Sequence, residues 1–208
     1  MIKLHHLKFS RSTRIIWLLE ELGINYEMEV HHRHAETSRA QEDLLAIHPL
    51  AKAPTVEIDG HLMVESGAII EYIIETRGDG QLAPSSNKDR ASYLEWLHFA
   101  EGTVAMPVLL TLLGPRFGGL GDILGGYIGG EVTKLLDYIN AHMDGREFLV
   151  GDNLTGADIH LEYLLELSNL VALLDERPHA KAYLERLMAR PGYKKAIEIG
   201  GPLVDLPS

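Results

Sequence analysis

The sequence predicts an α/β domain of order βαβαββα followed by an all-α domain. Three observations carry this. Over the first 80 or so residues, short alternating runs of strand character are interleaved with apolar residues at helical spacing. A run rich in Gly, Pro, Ser and Asn, from Arg77 to Asp89, then interrupts the pattern. Everything beyond it has helical spacing only. The expected boundaries are residues 1–79 for the first domain, 80–87 for the linker and 88–208 for the helical domain.

The elements of the first domain follow in order. Ile2 to Leu7 is a short strand. Ser12 to Leu22 carries Ile15, Ile16, Leu18, Leu19 and Leu22 at helical spacing, with Gly23 as its stop. Tyr26 to Val30 is a second strand and Ser38 to Ile47 a short helix. Thr55 to Ile58 and His61 to Val64 flank Asp59-Gly60, the sequence of a two-residue hairpin turn. Ser66 to Thr76 closes the domain as a helix. A helix between two strands implies a parallel pair, and the hairpin adds an antiparallel edge. In the second domain the expected helices are Lys88 to Leu113, Ile123 to Met143, Ala157 to Leu174, Pro178 to Ala189 and a short stretch after Pro191. The glycines from Gly114 to Gly130 lie between helices, where they read as a flexible connection and not as a phosphate cradle.

Composition narrows the function. The chain has 208 residues, 46% of them hydrophobic and 24% charged, enough to bury a core. Its net charge of −11 repels phosphate backbones and anionic membrane surfaces, so neither nucleic acid nor membrane is an expected partner. Cysteine is absent, which removes disulfides, Cys-based metal sites and a protein thiol nucleophile. The opening residues show no long apolar segment of a signal peptide, and no run reaches the length of a membrane span, Met106 to Leu113 being interrupted by Pro107. The expected location is cytoplasmic.

Chemistry concentrates in three places. Ser10 and Ser12 lie at the first strand–helix junction, where a serine either caps the helix or joins the helix-start N–H groups in holding an anion. Ala53-Pro54 precedes the third strand, where proline is an edge marker or a cis residue that turns the Ala53 backbone outward. Glu65-Ser66 opens the next helix. A hydroxyl and amides there suit a carboxylate, and Glu65 suits an ammonium, so together they suit an α-amino acid head group. Glu101 sits in a largely apolar helix, as an exposed or paired carboxylate or as a ligand for that ammonium. Met106, Val108, Leu109 and Leu112 either line an apolar cleft or pack as core. Thr155-Gly156-Ala157-Asp158 has the form of a capping box and is assigned to folding. The histidines His5, His6, His31, His32 and His34 read as solvated, with no converging metal geometry, so no metal is expected.

These residues resemble the glutathione S-transferase family over essentially the whole chain. The matching segments are Ser10-Arg11-Ser12-Thr13-Arg14 and its continuation to Gly23, His48 to Pro54, Glu65 to Tyr72, and Gly151 to Asp158. The serine-rich start, with His98-Phe99-Ala100-Glu101-Gly102 later, is similar to the serine-type branch found in bacteria and fungi. The resemblance implies a thioredoxin-like first domain that binds glutathione and a helical second domain, with an electrophile held between them, and a homodimer. It implies that Ala53, before a cis-Pro54, pairs its backbone with the cysteinyl unit. Glu65 and Ser66 would hold the γ-glutamyl end, with Glu101 attracting the ammonium, and Lys52 the glycyl carboxylate. Ser10, with Ser12 second, would contact the thiolate. Serine-type members often carry the catalytic Ser one position earlier, where this chain has Phe9, which donates no hydrogen bond. Ser10 or a backbone N–H then takes that role, or conjugation is weak. No Tyr near the first strand's end and no Cys anywhere argue against tyrosine-type and omega-type mechanisms.

Glutathione would thus be the co-substrate, with its own thiol as nucleophile and no metal required. A free thiol has a pKa of about 8.5, and lowering it by about 2 units takes roughly 2.7 kcal/mol. One charge-assisted hydrogen bond supplies about 1.5–3 kcal/mol and a helix dipole about 0.3–1. The partner substrate is an electrophile, or a hydroperoxide if the site works as a peroxidase. A module that holds glutathione or another ligand without turnover is the alternative of a different class.

Overall fold

The computed structural model describes residues 1–37, 39–84 and 86–203. The elements in chain order are β1 (Ile2–Leu7), α1 (Thr13–Leu22), β2 (Glu27–His31), α2 (Glu42–Ile47), β3 (Thr55–Ile58), β4 (His61–Met63), α3 (Ser66–Arg77), α4 (Asn87–Phe99), α5 (Ala105–Leu113), α6 (Gly121–His142), α7 (Gly156–Leu170), α8 (Pro178–Met188) and α9 (Pro191–Gly200). A π-helical turn, Ala100–Val104, joins α4 to α5, and a 3₁₀ turn, Gly114–Phe117, follows α5.

The sheet runs β2-β1-β3-β4. β1 and β2 are parallel, and β3 pairs antiparallel with both β1 and β4. This is the thioredoxin-like arrangement. Gly23 ends α1 at φ 65°, and its N–H returns to the carbonyls of Leu19 and Glu20. That left-handed cap favours a residue without a Cβ. Asp59 and Gly60, at φ 51° and 79°, form the hairpin turn their sequence announces.

The side chains of β1 alternate between two environments. Ile2, Leu4 and His6 are buried on one face. His6 bonds to Ser12 ahead of α1 and to Gly200 at the end of α9, so that face is covered by these helices. Lys3 and His5 project from the other, with Glu29, His31 and Glu57 beside them. His31 is bonded there to Asp43 of α2.

The chain divides into two compact units: Met1–Gln81 together with the segment from Ala189, and Leu82–Met188. The C-terminal segment thus departs from the expected boundary. Pro191–Gly200 packs on α1, where Tyr193 meets Trp17 edge to face at 5.4 Å between ring centroids. Arg190 pairs with Glu21 and Lys195 with Glu20. These contacts join segments far apart in sequence, which periodicity alone does not display.

Three helices also differ in extent from expectation. α2 starts at Glu42 because the backbone just ahead of it is paired elsewhere: the His34 N–H bonds to the Arg39 carbonyl and the Gln41 N–H to that of His32. Ser38, the expected start, lies outside the described residues. α7 stops at Leu170, where Ala172 turns left-handed at φ 59° and the Leu173 N–H closes on Ser168. α6 begins at Gly121, so Gly125, Gly126, Gly129 and Gly130 belong to a helix and not to a loose connection.

In the helical unit, Ser86 starts α4 by accepting the Asp89 N–H at 3.1 Å and donating to the Asp89 carboxylate at 2.7 Å. The helical stretch Asn87–Phe117 is long and apolar enough to cross a membrane by length and composition, with a mean hydropathy of 1.4 over its best window. The sequence expectation of no such run rests on Pro107 and Thr111 within Met106 to Leu113. Proline does not break the stretch, which packs its Trp96, Leu97, Val104 and Val108 into the core beside α7. It also carries Glu95 and Glu101.

Candidate functional site

The junction between β1 and α1 is held from several sides. Phe9 has φ 57° and sits at the turn. Arg33, just past β2, donates Nε to the Lys8 carbonyl at 3.0 Å and Nη2 to the Phe9 carbonyl at 2.8 Å. The Ser12 N–H donates to Ser10 Oγ at 3.2 Å, and the two hydroxyl oxygens lie 2.7 Å apart. Ser12 makes no side-chain cap bond to α1, so the expected cap is absent at that residue. Its hydroxyl turns back to β1 instead, meeting His6 Nδ1 at 2.8 Å and receiving the Leu7 N–H at 3.3 Å.

Proton positions in this chain follow from chemistry. The Gly200 carbonyl, 2.9 Å from His6 Nε2, can only accept, so Nε2 carries a hydrogen. Burial holds the His6 pKa below its usual value, against the opposing effect of the Gly200 bond. The ring is then neutral, its Nδ1 accepts from the Ser12 hydroxyl, and Ser10 donates to the Ser12 oxygen. Ser12 is fully buried with its hydrogen spent on His6. Of the two serines, Ser12 is thus the one whose hydroxyl hydrogen is held by a histidine of the preceding strand.

Arg14, in the first turn of α1, is almost wholly buried and donates Nη1 to Ser66 Oγ at 3.1 Å. This bond brings the starts of α1 and α3 together. Ser66 is the first helical residue, not the cap; Glu65 precedes it at φ 71°, exposed, with no side-chain cap bond. The first amides of α3 have no carbonyl within their own helix to bond, so they present a partial positive charge. The Ala53–Pro54 peptide is cis, as the resemblance implies. Lys52 is exposed, and its carbonyl accepts the Thr55 hydroxyl at 2.7 Å. Ser10, Ala53, Pro54, Lys52, Glu65 and Ser66 thus all belong to the first unit. Glu101 belongs to the second, half-buried in the π-helical turn. Val108 there is core, whereas Met106 is exposed.

Asp158 is fully buried and accepts from four donors: the Leu149 N–H (2.9 Å), the Thr155 N–H and hydroxyl (2.8 Å each) and the Tyr183 hydroxyl (2.6 Å). Burial raises its pKa and these bonds oppose the rise. The capping box is present, and it also ties α7 to α8.

The solvated reading holds for His32, which is exposed, and for the part-exposed His34, but fails for the other three. His5, His6 and His31 are all buried and hydrogen-bonded. Only the strand register, hidden from composition, shows that Glu29-Val30-His31 places its two polar residues beside His5. Sequence reasoning gave no role to Arg14 or Arg33. For Arg14 the available signal is an arginine in the first turn of a helix whose next five residues, Ile15 to Leu19, are all apolar.

Comparisons with known proteins agree with this architecture. The model for the glutathione S-transferase N-terminal domain matches residues 1–75, and the C-terminal domain model matches residues 129–191. Glutathione S-transferase 3 of Schizosaccharomyces pombe is 34% identical over 175 residues, 76% of this chain and 70% of its own length. A solved glutathione S-transferase of Actinobacillus pleuropneumoniae superposes with a TM-score of 0.88 at 32% identity, covering 98% of this chain and 94% of that one. A glutathione transferase family member of Pseudomonas fluorescens, solved with two glutathione bound, gives 0.78 at 26% identity, covering 95% and 92%. A thioredoxin-like unit with a cis proline, serines at two converging helix starts and a helical unit carrying the buried box is thus matched along nearly its whole length, and the chain belongs to the glutathione S-transferase family.

Proposed function

We propose that this chain binds glutathione on its first unit and activates the thiol for attack on an electrophile. The observation that carries the reading is the Arg14–Ser66 bond, which couples the starts of α1 and α3. A Ser66 oxygen that accepts from Arg14 donates its own hydrogen to an acceptor such as the γ-glutamyl carboxylate. The amides of the α3 start and the buried guanidinium add positive potential there. Glu65, exposed beside it, takes the ammonium. The backbone of Ala53, before the cis Pro54, pairs with the cysteinyl unit, and Lys52 takes the glycyl carboxylate.

Ser10 donates to the thiolate in this reading. In the resting arrangement its hydrogen points to Ser12. Rotation about one side-chain bond redirects it, while the Ser12 N–H continues to hold the Ser10 oxygen. The Ser12–His6 pair keeps that geometry ready. The gain of about 1.5–3 kcal/mol from one charge-assisted bond covers most of what thiolate formation at neutral pH requires. The protein works as a cytoplasmic homodimer in this reading, and light scattering at micromolar concentration should return twice the mass of one chain.

Calorimetric titration with glutathione, on the native chain and on Ser66→Ala, tests the site. Saturable binding that weakens at least tenfold in the variant is expected. Absence of binding at millimolar glutathione overturns the reading. Turnover of 1-chloro-2,4-dinitrobenzene against cumene hydroperoxide then separates transferase from peroxidase chemistry, and binding without either identifies a ligand-holding module.

A further inference from the structure

On the face of the sheet opposite α1, two imidazoles point at each other. His5 Nδ1 lies 3.0 Å from His31 Nε2, and both rings are fully buried. Each ring's other nitrogen meets a carboxylate: His5 Nε2 lies 2.8 Å from Glu57 Oε1, and His31 Nδ1 lies 2.7 Å from Asp43 Oδ2. A carboxylate accepts, so both outer nitrogens carry hydrogens. The inner nitrogens then converge on one point, and something electropositive must sit between them, either a shared proton or a metal ion. Glu29, opposite His5 in the parallel register, brings a third ligand atom: its Oε2 lies 3.8 Å from His5 Nδ1.

We propose that His5, His31 and Glu29 bind a divalent transition-metal ion of the zinc class. Three features support the assignment. Two imidazoles and one carboxylate form a known zinc donor set, with a fourth position left for water. At metal–nitrogen distances of about 2.0–2.1 Å, tetrahedral ligand atoms stand roughly 3.3 Å apart, so the pair need open only by a few tenths of an ångström. Metal-bound imidazoles commonly donate their outer N–H to a carboxylate, which fixes the ring and strengthens the ligand. Glu57 and Asp43 stand in that position on the two rings.

The charge balance fits a dication. Glu29, Glu57 and Asp43 are three carboxylates gathered at the pair, within hydrogen-bond distance of Lys3, His5 and His31 respectively. Lys3 is the cation beside them, 2.8 Å from Glu29 Oε2. Three carboxylates and one ammonium leave two negative charges. Lys3 competes with the ion for Glu29, although a carboxylate has a second oxygen to offer. The carboxylates are about half exposed, so the cluster is open to solvent on their side.

The test is calorimetry with Zn²⁺ on the full chain without a purification tag, followed by absorption with Co²⁺ as a spectroscopic probe. One zinc per chain is expected, with Co²⁺ giving the intense d–d bands of a tetrahedral site and being displaced by Zn²⁺. The substitutions use the part-exposed residues, so that folding, checked by circular dichroism, is preserved. Glu29→Gln should weaken binding at least tenfold, and Asp43→Asn by about 10–100-fold through the imidazole it orients. Lys3→Gln should tighten binding, because it frees Glu29 and removes a positive charge. A purely structural histidine pair predicts none of these changes. Failure to bind Zn²⁺ at micromolar concentrations, or binding that all three substitutions leave unchanged, overturns the proposal. The first outcome assigns a shared proton to the pair, and the second assigns the ion to other histidines.

Discussion

Two helix starts in this molecule carry hydroxyl motifs and use them in opposite ways. At α7, Thr155 and Asp158 close on each other, and the carboxylate collects four donors in a fully buried position. At α1, Ser12 turns its hydroxyl away from the helix to His6 and makes no cap bond. One start is satisfied by its own side chains. The other satisfies its first amides with backbone carbonyls, those of Ser10, Arg11 and Ser12, and so needs no side-chain cap. Hydroxyl identity is the same in kind, so what decides is where the hydrogen-bond partners stand: a buried carboxylate one turn onward, or a histidine on the preceding strand.

The sharpest way to break this contrast is at the satisfied end. Asp158→Ala should destabilise the protein by more than about 3 kcal/mol, because it strands buried donors, each costing about 1–3 kcal/mol. Asp158→Asn should cost less, since the amide oxygen still accepts. Urea unfolding of both variants checks the order. An Asp158→Ala curve close to the native one would show that the box is ornamental.

The second break is at α1 and separates the two serines. Ser10→Ala should raise the pKa of bound glutathione by about 1–2 units, the equivalent of about 1.5–3 kcal/mol, with little loss of stability. Thiolate absorbance across a pH series reads this directly. Ser12→Ala should instead lower stability by about 1–3 kcal/mol, because it takes an acceptor from the buried Leu7 N–H and a donor from His6. Equal effects from both substitutions would abolish the division of labour.

These two starts also mark how far the sequence is legible. Strand alternation, the Asp59-Gly60 turn and the Gly23 stop depend on neighbours within a few residues, and all three fall where their local chemistry puts them. The Thr155–Asp158 box is equally local. The Ser12–His6 bond needs only the strand before the helix, yet it competes with capping, and propensity alone does not say which partner wins. Arg14 to Ser66, His5 to His31 and the packing of α9 on α1 are set by tertiary register. Composition weighs each of those residues singly, so three buried histidines pass for surface ones. The role given to Lys52 comes from the family resemblance alone, since an exposed lysine carries no signal of its own, whereas Glu65 is marked by its place before a helix start and Glu101 by its apolar helix.

A third test sharpens the α1 side through pH. His6 has its folded pKa lowered by burial, so the unfolded chain binds the proton more readily. The stability that neutral His6 contributes is fully present above the unfolded value near 6.5 and is lost as pH falls below it towards the folded pKa. The slope from this one group is at most about 1.4 kcal/mol per pH unit. Protonation would also take Nδ1 from the Ser12 hydroxyl, so the arrangement behind Ser10 should loosen in the same window. His6→Gln should remove this component, seen as the difference between native and variant unfolding free energies from pH 7 to about pH 5. A difference that stays constant across that range would mean that His6 does not carry the linkage.

The smallest expected effect concerns a helix start with neither device. α6 opens at Gly121 after Leu120, with no side-chain cap, and carries Gly125, Gly126, Gly129 and Gly130 in its first turns. Glycine in a helix interior costs about 0.5–1 kcal/mol relative to alanine through backbone entropy. A Cβ added at Gly126, Gly129 or Gly130 would meet nothing within 4 Å. Each of Gly126→Ala and Gly129→Ala should therefore stabilise the chain by about 0.5–1 kcal/mol. Ile123, Leu124 and Tyr127 on the same turns are exposed, so the surface they form can be assayed with the same variants. If the alanines raise thermal stability while the oligomeric mass in light scattering stays unchanged, the glycines are simply a weak helix start. If they stabilise the isolated chain but lower its self-association, the missing Cβ atoms make room for close approach by a second copy.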